Sequence, residues 1–260
     1  MMFSLKNKNI LVFGGAGYLA TPISKSIVES GGNLIIADLD LERAKILAKE
    51  LNSQYPGSKV IALKAVDTNS FDDVDTYFQK IKKDFQFLDG MVCAISPRLG
   101  GSVDKLTAEQ MNKHFEKHVT PMFILARAAK RLMESGGSIV LFSSMYGSVA
   151  PNPEVYFPPM EINPIAYGMC KAAINQMVKY LAVTWAEENI RVNAVSPGPF
   201  PNPSSPTNDN DFIERLAQKT PMKRVGKQHE IAGSIIYLLS AESSYVTGQN
   251  IAINGGWTIW

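Results

Sequence analysis

The stretch Ile10-Leu11-Val12-Phe13-Gly14-Gly15-Ala16-Gly17-Tyr18-Leu19-Ala20 decides how this chain folds. Its four leading apolar residues do not alternate with polar ones, the pattern of a strand covered on both faces. Three glycines follow, and a helical pattern takes over beyond them. Glycine permits the tight turn and lets backbone N–H groups come close to a ligand. A helix that starts there turns its unpaired N–H groups toward the same spot. Strand, glycine turn and helix in this order make a cradle for a pyrophosphate. Gly14, Gly17 and Ala20 give the spacing Gly-x-x-Gly-x-x-Ala, with Tyr18 and Leu19 completing the turn.

The same alternation continues outward. Short apolar runs recur at 34–37, 60–65, 91–95, 139–142, 191–196 and 250–253. Amphipathic stretches separate them at 22–29, 41–51, 71–85, 108–133 (two helices or one long bent one), 166–188 and 230–240. Strand and helix in regular turn predict an α/β fold: a single-domain, Rossmann-like, doubly wound parallel sheet with helices on both faces. Residues 1–260 are expected to form one dinucleotide-binding and catalytic domain. Segments 150–163 and 197–222 break the rhythm with prolines and polar residues. Long irregular segments in compact domains are often functional, so both are expected to be substrate-side loops.

Composition bounds the function. With 45% hydrophobic and 19% charged residues, the chain is not a disordered one. A formal charge of +2 without a basic cluster gives nucleic acid no electrostatic footprint. No apolar run reaches the length needed to cross a membrane. Lys6 and Lys8 ahead of the first apolar run mimic a signal peptide, but the glycines interrupt any such core, and a buried strand is the better account. Cys93 and Cys170 are too few for a disulfide scaffold and show no metal spacing. They fit reduced thiols in a cytoplasmic protein.

Asp38 closes the second strand about 20 residues past the glycines. A carboxylate there accepts hydrogen bonds from adenosine ribose hydroxyls and repels a 2′-phosphate, which favours NAD over NADP. The competing role is capping of the next helix. Tyr167 and Lys171, four residues apart, share one helix face. A nearby ammonium favours the phenolate, which makes the phenol a usable acid or base. Ser143 and Ser144 end a strand at the sheet edge where ligands bind, and a serine hydroxyl there can hold a substrate oxygen.

Together these residues resemble the short-chain dehydrogenases/reductases. The glycine turn at 14–20, Ser143-Ser144, Tyr167…Lys171, the run from Arg191 to Gly198 and the ending Tyr245-Val246-Thr247-Gly248-Gln249…Asn254-Gly255-Gly256 follow that family's order. The resemblance implies that Tyr167 is the acid/base and that Lys171 lowers its pKa and holds the nicotinamide ribose. It also implies that Ser144, followed by Met145-Tyr146-Gly147, is the catalytic serine in preference to Ser143. Asp67 and Thr68 match the pair that contacts adenine. Pro197, Gly198 and Phe200 match the loop beside the nicotinamide. Leu39 beside Asp38, and Ala94 in the strand that lines the cofactor, join the expected NAD site. The family is usually a homo-tetramer or homo-dimer.

The chain departs from the pattern at four points. Its glycine spacing resembles the longer, sugar-nucleotide-handling branch. Cys93-Ala94-Ile95-Ser96 stands where Asn-Asn-Ala-Gly is usual. His118 stands where a fourth catalytic residue, an asparagine supporting a proton relay, is expected. The serine-to-tyrosine spacing is about ten residues longer than usual, the excess lying in 150–163. His118 either joins the relay or, as a neutral ring, supplies one hydrogen bond in the asparagine's place.

Tyr156 in the insert and Arg98 after the fourth strand are candidate substrate contacts, and a polar, aromatic mouth suits a sugar or polyol. The function expected is NAD(H)-dependent interconversion of a secondary alcohol and a ketone on such a substrate. The alternatives are an NAD-bound epimerase or dehydratase acting on a sugar derivative, and a non-catalytic NAD-binding protein. No metal is expected: His114 and His118 sit at i, i+4 but lack the rest of a zinc motif.

Overall fold

The computed structural model describes residues 2–97, 99–158, 160–205 and 209–260. Seven strands form one parallel sheet: β1 Asn9–Phe13, β2 Asn33–Asp38, β3 Val60–Lys64, β4 Gly90–Cys93, β5 Gly137–Phe142, β6 Ile190–Pro197 and β7 Asn250–Ile253. Their order is β3-β2-β1-β4-β5-β6-β7, as expected of a doubly wound fold. Strand order reverses between β1 and β4, where the crevice outside the strand ends takes ligands. The middle strands carry the core. Ile10, Leu11, Val12, Leu34, Ile35, Met91, Val92, Ile139 and Val140 are fully buried, which is why these runs are continuously apolar.

The helices are α1 Ala20–Glu29, α2 Leu41–Gln54, α3 Phe71–Phe85, α4 Ala108–His118, α5 Thr120–Lys130, α6 Ile165–Trp185, α7 Asn210–Gln218 and α8 Ala232–Leu239. The stretch expected to be one bent helix or two is two, broken at Val119, with Pro121 in the first turn of α5. The Thr107 capping box with Gln110 fixes where α4 begins.

The segment 197–222 is not loop throughout. It holds α7, whose Asp209 side chain caps the helix by accepting from the Phe212 N–H. Its apolar positions Phe212, Leu216 and Ala217 recur at helical spacing, in a stretch too short to stand out against the prolines before it. The insert 150–163 contains one short 3₁₀ turn, Pro153–Val155. Arg98 lies outside the described residues.

Candidate active site

The glycine turn has the shape a phosphate cradle needs. Gly14 adopts φ +72°, and a Cβ on Gly17 would stand 2.9 Å from the Gly14 carbonyl oxygen, so side chains are disfavoured at these two positions. Helix α1 begins directly after it, earlier than the sequence suggests, and no side chain caps its N-terminus. The Thr21 N–H already pairs with the Gly17 carbonyl at 2.9 Å, and the start of the helix faces the turn. Tyr18 ties the turn to the far side of the crevice by donating from its hydroxyl to the Pro201 carbonyl, 3.0 Å.

Asp38 does not cap α2; Asp40 does, accepting from the Arg43 N–H at 3.0 Å. The Asp38 carboxylate is held by two backbone N–H groups instead, Ala16 on Oδ2 at 2.9 Å and Asp40 on Oδ1 at 3.0 Å. It borders a cleft of about 1230 Å³ that runs along the strand ends. Gly14, Gly17, Tyr18, Leu19, Leu39, Asp67, Thr68 and Ala94 line the same cleft at the β1–β3 side. Ser144, Tyr156, Tyr167, Lys171, Pro197, Gly198 and Phe200 line its other end. The residues present fit a dinucleotide: an open helix N-terminus and a side-chain-free turn for phosphates, with an anchored carboxylate one strand away.

Ser143 and Ser144 divide their tasks. The Ser143 hydroxyl donates to the Lys171 carbonyl at 3.0 Å and so fastens the end of β5 to α6. Ser144 Oγ accepts the Tyr146 N–H at 3.2 Å, which leaves its own O–H as a donor into the cleft. Lys171 is only 1% exposed. Its Nζ donates to the Phe142 carbonyl at 2.9 Å and lies 5.5 Å from the Tyr167 ring centroid. Burial pushes the ammonium down to about 8, against the pull of Cys93 and Cys170.

Burial raises the pKa of the Tyr167 phenol above the ordinary value, and the groups that pull it back are the hydroxyls of Ser144 and Ser96. Tyr167 and Lys171 share one face of α6, as the spacing predicts.

His118 is fully buried behind this pair, stacked on His114 at 5.7 Å and edge-on to Tyr167 at 5.5 Å. Neither ring nitrogen has a hydrogen-bond partner. Burial, Lys171 and His114 push it down to about 4, so it is neutral at pH 7. The His114 Nε2 pairs with the Gly100 carbonyl at 3.2 Å. Among the described residues no group of three or more His, Cys, Asp or Glu is placed to hold a metal ion.

Sequence reasoning missed Asn163 as a site residue and marks Ser96 only as a misfit to the family pattern; both line the cleft. The hydroxyl of Tyr156, a candidate substrate contact from the sequence, pairs with that of Tyr146 at 2.7 Å and accepts from Asn163 Nδ2 at 3.0 Å. The insert is clamped to α7. Arg215 Nε donates to the Val155 carbonyl at 2.9 Å, its guanidinium covers the Phe157 ring at 4.7 Å, and Glu154 pairs with Lys219.

The family model described as enoyl-(acyl carrier protein) reductase matches residues 16–258, almost the whole chain. The chain belongs to the short-chain dehydrogenase/reductase family. It is therefore an oxidoreductase of the kind that uses a nicotinamide dinucleotide. It is 27% identical to a 7alpha-hydroxysteroid dehydrogenase of Bacteroides fragilis, over 99% of this chain and 97% of the relative. It is 29% identical to a ribulose-forming D-arabinitol 2-dehydrogenase of Scheffersomyces stipitis (99% and 96%). A sorbose reductase of Candida albicans is also 29% identical (99% and 89%). Among solved structures, an NADPH-dependent 3-quinuclidinone reductase of Rhodotorula rubra superposes with TM-score 0.85 at 25% identity, covering 100% of this chain and 94% of that one. A short-chain dehydrogenase of Leptospira borgpetersenii with bound NAD+ superposes with TM-score 0.82 at 26% identity (98% and 94%).

Proposed function

We propose that this chain is an NAD(H)-dependent enzyme interconverting a secondary alcohol and a ketone on a sugar, polyol or related polar substrate. One observation carries the substrate class. The end of the cleft beside Tyr167 is lined by uncharged hydroxyl and amide groups, Ser96, Ser144, Tyr156 and Asn163, which match neutral substrate hydroxyls. The arabinitol dehydrogenase and the sorbose reductase among the relatives support the same class.

When bound, the nicotinamide accepts or supplies the hydride. Gly14, Gly17, Tyr18 and Leu19 would hold the pyrophosphate, Asp38 and Leu39 the adenosine ribose, and Asp67 and Thr68 the adenine. Ala94, Pro197, Gly198 and Phe200 would flank the nicotinamide, with Tyr167 and Lys171 at its ribose. Asp38 favours NAD, since its carboxylate, anchored by two backbone N–H groups, repels a 2′-phosphate. Ser144 donates a hydrogen bond to the substrate oxygen. Tyr167 gives a proton to a carbonyl oxygen or takes one from a hydroxyl. In the free protein Tyr167 is the phenol at neutral pH, the form that donates to a carbonyl. His118 stays a neutral ring and not a charged base.

The chain is proposed to work as one domain, with 150–163 and α7 on the substrate side. Two buried free thiols suit a cytoplasmic setting, and no helix among the described residues is long and apolar enough to cross a membrane. Exposed Met169, Tyr180 and Val183 on one face of α6 support a homo-dimer or homo-tetramer.

The test is a panel of polyols, sugars and hydroxy acids with NAD or NADP, following the absorbance of the reduced nicotinamide. A polyol oxidised with NAD, or a ketose reduced with NADH, is expected. Turnover of a sugar derivative without net NADH would replace this reading with epimerisation or dehydration.

A further inference from the structure

We propose that Tyr146, Tyr156 and Asn163 form a subsite for a second substrate hydroxyl, one that does not react; this rests on the sugar or polyol reading above and names the group by which the cleft selects.

Tyr146 lies on the short turn Met145–Gly147 directly after Ser144, and its N–H donates to Ser144 Oγ at 3.2 Å. The serine proposed to hold the reacting oxygen and this phenol are therefore fixed to one turn. The Tyr146 hydroxyl stands 2.7 Å from that of Tyr156 in the insert. The Tyr156 oxygen also accepts from Asn163 Nδ2 at 3.0 Å. The Tyr156 ring rests on Phe212 of α7, centroids 5.9 Å apart. The turn after β5, the insert and α7 thus hold the pair together. Tyr146, Tyr156 and Asn163 all line the cleft that Ser144 and Tyr167 line.

The hydrogen count leaves one donor unspent. Each phenol has one O–H, and the two oxygens share a single bond. If Tyr156 donates, the Tyr146 proton is left over. If Tyr146 donates, Tyr156 accepts twice and its own proton is left over. Among the described residues neither hydroxyl has a further hydrogen-bond partner. An O–H without an acceptor is costly inside a protein, so it turns to where a ligand or water can meet it, in the cleft. In both arrangements Tyr146 also keeps a free lone pair. One donor and one acceptor side by side suit an alcohol hydroxyl, which gives one hydrogen bond and takes another. Burial raises the Tyr146 phenol far above its ordinary value, so it stays neutral. Ser144 and Tyr167 serve the reacting oxygen, and the phenol pair is left for a different one.

The test compares a polyol with its monodeoxy analogues, each lacking one hydroxyl, in the wild type and in the double variant Tyr146→Phe/Tyr156→Phe. Both rings stay, so the packing of Tyr146 with Met145, Val155 and Leu216 is kept, and thermal unfolding checks it. The wild type is expected to discriminate against one analogue by about tenfold or more in kcat/KM, carried by KM, and the double variant to lose most of that discrimination. Each single variant leaves one hydroxyl and should show part of the loss. Discrimination that survives in the double variant overturns the proposal. So does a loss that falls equally on the polyol and every analogue, the mark of a purely structural role. A wild type that turns over no polyol defeats the earlier reading, and the subsite with it; one that turns over polyols and keeps its discrimination without the two hydroxyls defeats the subsite alone.

Discussion

The His118 ring meets the Tyr167 ring edge-on, centroids 5.5 Å apart and planes at 78°. The imidazole therefore supports the face of α6 that carries the proton-transfer pair, from inside the core. Its folded pKa of about 4 lies below the ordinary histidine value of 6.5. Between those values the unfolded chain binds more protons than the folded one. The stability His118 allows is complete above about pH 6.5 and is lost as pH falls toward 4. Each unit is worth about 1.4 kcal/mol, so the loss is about 3 kcal/mol. Thermal unfolding across pH 4–7 should show it, and His118→Asn should flatten that part of the profile. Equal slopes in the two proteins would mean that His118 is not buried as a neutral ring.

Tyr167→Phe removes the phenol oxygen proposed to exchange a proton with the substrate. Turnover should fall by about 10²–10⁴-fold. NAD binding, measured by calorimetry, should be reduced far less than turnover. Loss of binding in parallel with turnover would make Tyr167 a cofactor anchor only.

Asp38→Ala should relax cofactor choice. The anchored carboxylate sits where a 2′-phosphate would come close, and its removal should raise kcat/KM with NADP relative to NAD by about 10–100-fold. An unchanged ratio would locate the cofactor preference elsewhere, for example at Leu39.

Arg215→Ala loosens the insert from α7 by removing the bond to the Val155 carbonyl and the cover over Phe157. It should raise KM several-fold with kcat nearly preserved, because the proton-transfer groups are on other elements. Tyr156→Phe should act in the same direction by removing the hydroxyl that joins Tyr146 to Asn163. A fall in kcat at constant KM in either variant would move the insert from substrate binding to chemistry.

Much of this protein could be read from its residues. The continuous apolar runs gave the strands because β1, β2, β4 and β5 are covered on both faces. The glycines gave the turn because no side chain fits it. Tyr167 and Lys171 share a helix face by spacing alone. The preference for Ser144 over Ser143 came from the family pattern; what the structure adds is that the Ser143 hydroxyl is engaged at the Lys171 carbonyl.

What sequence could not decide are the relationships set by long-range packing. Helix α7 was hidden because nine residues carry too weak a period beside a proline-rich stretch. Ser96 reads as a misfit until the fold places it in the lining of the same cleft as Ser144 and Tyr167. The spacing of Tyr167 and Lys171 is local, but the burial that raises the phenol, and the bond from Lys171 Nζ to the Phe142 carbonyl, come from the packing of α6 on the sheet. The amino-acid order fixes which groups share a strand or a helix face, since those periods are local. Which hydroxyl meets which oxygen depends on the sheet register and the seating of helices on it, and only the folded chain sets those.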